Sequence, residues 1–138
     1  MTRPNRNADL ELLSQVAALR TVRAQANLTA IDGRISAIRG QISDAKSPLN
    51  TTPADITDAV ANDRWIRSRQ KRVVALNSAL AQEMAEKPGA ARLAAQASAV
   101  EGLLGEYLHV EKSRTARRKA RRSEEVTTNP QPQNKKEK

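Results

Sequence analysis

From Leu28 onward the chain sets apolar side chains at alternating steps of three and four: Leu28, Ile31, Ile35, Ile38, Ile42 and Ala45. A seam of this period stays on one side of an α-helix and requires a second helix along it. Leu12, Val16 and Leu19 make a similar run upstream, in a frame that slips against the first where Val22, Ala24 and Ala26 fill in. The rest of the composition agrees with helix. Ala, Leu, Arg, Gln, Glu and Lys lose least on entering one, whereas the β-branched and aromatic residues that strands need are scarce, with Trp65 and Tyr107 the only aromatics. An all-α fold with a thin core is expected, and a sheet-based enzyme domain is excluded.

The segment Lys46-Ser47-Pro48-Leu49-Asn50-Thr51-Thr52-Pro53 ends the first helix. Thr52 reads as an N-cap, with Pro53 at the first helical position and Asp55 three residues past the cap. Asn5 or Asn7 reads as the cap of the first helix, with Asp9 and Glu11 at the positive end of its dipole. In the second helix Ile56, Ala59, Ile66, Val73, Leu80 and Met84 keep a seam that Asp63, Gln70 and Asn77 interrupt. Either Val60, Val74 and Leu76 share the stripe and the polar residues lie at its edge, or a polar residue in the seam fixes register.

Pro88-Gly89 then interrupts the pattern, before Leu93, Ala97, Val100, Leu104 and Tyr107 restore a heptad. Two architectures are open. One is an elongated antiparallel helical hairpin with a kinked second arm, and the other is a three-helix bundle with segments near 9–46, 53–87 and 90–122. The lack of a cap after Gly89 favours the hairpin. The expected organisation is a flexible N-terminus over 1–8, a helical coiled-coil or bundle domain over 9–122 with a turn near 47–52 and a break at 88–89, and a disordered basic C-terminal tail over 123–138.

The formal net charge of +9 is unevenly spread, because residues 112–138 hold 10 of the 24 Lys and Arg against 3 of the 15 acidic groups. Lys112, Arg114, Arg117, Arg118, Lys119, Arg121 and Arg122 form a basic end that is helix-competent yet carries no bulky apolar residue, so no packing is expected there. A second basic stretch, Arg64, Trp65, Arg67, Arg69, Lys71 and Arg72, lies in the second arm. On a helix Arg64, Arg67 and Lys71 share one face, and Trp65, Arg69 and Arg72 share another, with Arg69 placed to stack on Trp65 and Asp63 to pair with Arg67.

Chemistry-bearing residues are few. The chain has no cysteine and a single histidine, His109, and its five glycines are scattered through helical sequence rather than gathered in a phosphate-binding loop. No catalytic residue, metal ligand or cofactor can be named, and a non-enzymatic role is expected. Gly102 and Gly105, like Gly33 and Gly40, are candidates for close helix approach. The opening residues lack the pattern of a secretory signal and no apolar window is long enough to span a bilayer, so a soluble, cytoplasmic protein is expected.

The size, the turn near Ser47 to Pro53, the two Ala-, Arg- and Gln-rich arms and the basic end resemble the small coiled-coil stalk proteins of bacterial flagellar and type III export systems. So does Trp65-Ile66-Arg67-Ser68-Arg69 followed by Val74-Ala75-Leu76-Asn77. The likeness is one of shape and composition over 9–122; the arms here are shorter, and Pro88-Gly89 interrupts one. It implies a helical hairpin inserted into an ATPase ring, and it carries over no functional residue. Two functional readings follow from the residues. One is a helical protein-interaction module, a coiled-coil adaptor or stalk with a basic end for an acidic protein surface and stripes that also suit self-association. The other is an accessory protein that holds nucleic acid non-specifically through phosphate contacts from 112–122.

Overall fold

The computed structural model of the protein describes residues 5–47 and 55–128. All of these except Asn5, Ser47 and Asp55 are helical, and no strand occurs among the described residues. Helix α1 spans Arg6–Lys46 and helix α2 spans Ile56–Thr128, and the two pack together as a helical hairpin. The three-helix alternative is thereby set aside, because α2 runs through Pro88 and Gly89 instead of breaking at them. The proline removes one internal hydrogen bond, but the flanking residues are held to α1. On one side of it Lys87 pairs with Asp32 at 2.7 Å, and on the other Ala90 is buried against Ile31 and Ile35.

The helix ends follow backbone hydrogen-bonding needs. At the start of α1 the Asp9 N–H donates to the Asn5 carbonyl at 3.1 Å, which makes Asn5 the cap position and puts Asn7 inside the helix. At the start of α2 the cap is Asp55, whose Oδ1 accepts from the Asp58 N–H at 2.7 Å while its carbonyl accepts from the Ala59 N–H. The expected Thr52 cap, Pro53 and most of the 47–52 turn lie outside the described residues, as do 1–4 and 129–138. Helix α2 continues to Thr128, beyond the limit of 122 read from the sequence.

Which residues face inward differs from the sequence reading. In α1 the partly or fully buried positions run Asn7, Leu10, Ser14, Ala17, Thr21, Ala24, Leu28, Ile31, Ile35, Ile38, Ile42 and Ala45, an unbroken alternation of threes and fours, with Ala18 beside Ala17. There is no slip between two frames. Leu12, Val16 and Leu19 are a separate stripe, left exposed. In α2 the inward positions include Asn62, Arg69, Val73, Leu76, Leu80 and Glu83, while Asp63, Gln70, Asn77, Ile56, Val60, Val74 and Met84 are exposed. The polar residues expected in the seam therefore lie outside it, and Val60 and Val74 do not share the apolar stripe. Further along, Ala97 and Leu104 face inward but Leu93, Val100 and Tyr107 do not.

The chain divides into two compact units, Arg20–Ala97 and Met1–Leu19 with Ser98–Lys138. The first unit holds the apolar core, in which buried Ile31, Ile35 and Ala90 pack with partly buried Leu28 and Leu80. Two ion pairs cross between the helices there, Arg34 to Glu83 at 3.0 Å and Asp32 to Lys87 at 2.7 Å. In the second unit Glu11 pairs with Lys112 at 3.0 Å, and the Asn7 amide donates to the Thr115 hydroxyl at 3.4 Å. Packing against α1 thus extends past Lys112, contrary to the expectation for the basic end.

Candidate interaction surfaces

In the Arg20–Ala97 unit, the basic stretch of the second arm is organised by Arg69. This residue occupies an inward position of α2 and is partly buried. Its guanidinium carbon sits 4.1 Å from the centroid of the Trp65 ring, the stack expected from the spacing. The same guanidinium donates to the Asp44 carbonyl at 2.9 Å, which also accepts from the Ser47 N–H at 3.3 Å. Asp44 lies in the last turn of α1, where carbonyls lack intrahelical donors and a cation is favoured by the helix dipole. Arg69 is therefore committed to closing α1. Arg67 pairs with Asp63 at 3.0 Å, also as expected.

Arg64, Lys71 and Arg72 remain exposed, and Trp65 is half-exposed. Beside this corner lies an open groove of about 530 Å³ lined by Ala45, Lys46, Trp65, Ile66, Arg69 and Val73. The second arm thus divides into groups that hold the hairpin together and three cations available to a partner.

In the unit formed with Ser98–Lys138 no large apolar side chain is fully buried. Small or polar residues, Ser14, Ala17, Ala18 and Thr115, point inward, and its inward leucines, Leu10, Leu104 and Leu108, are only partly buried. Leu12, Leu13, Val16 and Leu19 on α1 and Val100, Leu103, Tyr107 and Val110 on α2 point outward, exposed by between 39% and 70%.

Six of these eight outward residues form one face. At about 100° per residue, Leu13 and Val16 on α1 and Val100, Leu103, Tyr107 and Val110 on α2 lie to the same side of the inward seam, the side away from the Glu11–Lys112 ion pair, whereas Leu12 and Leu19 lie opposite the seam and point away from α2. Sequence reasoning assigned five of these residues to the hairpin seam and did not single out Leu13, Leu103 and Val110. The available signal was the competing stripe of small residues at the same spacing.

The basic end continues α2. Lys112 is held by Glu11, and Arg114 pairs with Glu111 at 3.4 Å. Arg117, Arg118, Lys119, Arg121 and Arg122 are exposed and have no ion-pair partner among the described residues. Arg114, Arg117, Arg118, Arg121 and Arg122 fall within about 140° of the helix circumference, a single arginine face.

The remaining candidates are open surface. His109 is exposed. A Cβ added at Gly102, Gly105, Gly33 or Gly40 would meet no neighbour, so close approach of the helices does not require these glycines. Among the described residues no group of three His, Asp or Glu could hold a metal ion, and no helix is long and apolar enough to cross a membrane. Comparison with known proteins finds no matching family, no matching curated protein and no matching solved structure.

Proposed function

We propose that the protein is a non-enzymatic helical-hairpin interaction module that docks another protein surface on the apolar face of its Met1–Leu19 and Ser98–Lys138 unit. Its arginine face meets an acidic surface. The reading is carried by the row of exposed large apolar residues on one side of that unit, Leu13, Val16, Val100, Leu103, Tyr107 and Val110, beside a seam in which no large side chain is fully buried. An apolar face of this extent is characteristic of a protein that is completed by a partner. The arginines add steering and orientation toward negative charge. The likeness to export-apparatus stalks supplies one specific form of the reading, a cytoplasmic hairpin that engages a larger bacterial assembly.

A photo-cross-linking residue placed at Tyr107, at Ser98 on the opposite flank, or at Arg118, and activated in the cells that make the protein, tests the reading. Adducts to protein from Tyr107 and Arg118, and none from Ser98, are expected. No adduct from Tyr107 overturns it. The concentration of five arginines in one arc also favours a second reading, non-specific binding of nucleic acid, because phosphates are met by such a face with strong salt dependence. That reading expects the Arg118 adduct to contain nucleic acid in place of protein.

A further inference from the structure

We infer that the occupant of the apolar face is a second copy of this chain, so that the Met1–Leu19 and Ser98–Lys138 units of two protomers close into a four-helix arrangement. The inference rests on the interaction reading above and names its partner. In the sequence outside the described residues the large apolar side chains are Met1 and Leu49, against six on the face. Those six expose on the order of 600 Å², the larger part of the roughly 800 Å² that one partner contributes to a standard stable interface.

A two-fold interface requires a patch complementary to itself. The α2 stripe satisfies this, because Val100, Leu103, Tyr107 and Val110 follow steps of three, four and three that read the same in both directions. With the axis between Leu103 and Tyr107, Val100 of one protomer meets Val110 of the other, and Leu103 meets Tyr107. Four layers of apolar contact result. The α1 residues Leu13 and Val16 on the same side widen the contact to a bundle of two hairpins. Each hairpin alone is a single layer with one apolar face, and the second copy supplies the other layer.

Sedimentation equilibrium of the full-length chain tests this, with the wild type compared with Leu103→Lys, Val16→Lys and, on the opposite flank, Ser98→Lys. The wild type is expected to show a reversible species of twice the 15.1 kDa chain mass. Leu103→Lys and Val16→Lys are each expected to weaken it by about 30-fold or more with helical circular dichroism retained, and Ser98→Lys to leave it unchanged. Where a lysine variant loses helicity, the neutral Leu103→Gln and Tyr107→Gln take its place.

A wild-type species of 15.1 kDa at about 100 μM, well above the micromolar Kd of a modest complex, overturns the inference. A dimer indifferent to the face variants also overturns it. A monomeric chain whose Tyr107 cross-links to a different protein removes the second copy and keeps the interaction reading, whereas a monomer with no adduct removes both.

Discussion

Replacing Arg69 by alanine removes two contacts at the end of α1 in one step. The guanidinium stacks 4.1 Å from the Trp65 centroid and donates to the Asp44 carbonyl at 2.9 Å. Trp65 is 41% exposed, so the cation–π contact belongs at the weaker end, about 0.5–1 kcal/mol. The charged hydrogen bond to a carbonyl in the last helical turn adds about 0.3–1 kcal/mol. Arg69→Ala should therefore cost the Arg20–Ala97 unit about 1–2 kcal/mol.

Arg69→Lys keeps the charge but loses the planar stack, and should fall between the two. Urea denaturation followed by circular dichroism measures the loss, and the emission of Trp65, the only tryptophan, reports the local change. A double-mutant cycle with Trp65→Leu should give a coupling of about 0.5–1 kcal/mol for the stack alone. A loss below about 0.3 kcal/mol with unchanged emission would refute the assignment of Arg69 as the residue that closes α1.

Other substitutions probe the helices themselves. Gly33→Ala and Gly40→Ala place a methyl group in open space on an exposed helical surface, and each should stabilise the chain by up to about 1 kcal/mol in the same denaturation experiment. Pro88→Ala restores a donor inside α2 at an exposed position and should raise stability by about 1–3 kcal/mol. A loss there would show that the proline is required by the packing of Ala90. Replacing Arg117, Arg118, Arg121 and Arg122 with alanine should change stability by less than about 0.5 kcal/mol per site, because no described residue pairs with them. The same change should remove the contact that the arginine face makes to an acidic surface, read as retention of the chain on a polyglutamate matrix at rising salt.

The class of fold and the heptad of α1 from Leu28 to Ala45 were legible because one apolar stripe there has no competitor, and Ile31 and Ile35 do enter the core. The pairings of Asp63 with Arg67 and of Arg69 with Trp65 were legible too, since they depend on spacing within a single helix. The N-terminal half of α1 was misread for a physical reason. Periodicity locates stripes on a helix but not the neighbour each one meets, and there the helix carries two. The larger, Leu12, Val16 and Leu19, looked like the seam, while the smaller, Ser14, Ala17 and Thr21, packs within the hairpin. The same ambiguity split Leu93, Ala97, Val100, Leu104 and Tyr107 between two faces of α2.

The choice between hairpin and three-helix bundle stayed open in the sequence because contacts across the hairpin are invisible in a linear sequence, and the helical end at 122 was set too early because charged residues without apolar partners still continue a helix. Asp32 and Ile31, which hold the helix on either side of Pro88, are far from it along the chain.

The outward face of the Met1–Leu19 and Ser98–Lys138 unit is expected to be covered in the working protein. Tyr107 reports on this directly, being the only tyrosine in the chain and 49% exposed in the isolated hairpin. The measurement is its rate of modification by a tyrosine-selective reagent, read by mass spectrometry over a range of protein concentrations. Strong protection of Tyr107 is expected at high concentration, and it is lost on dilution and in the Leu103→Lys variant. Reaction at the rate of the unfolded chain at every concentration, and in the cells that make the protein, would contradict it.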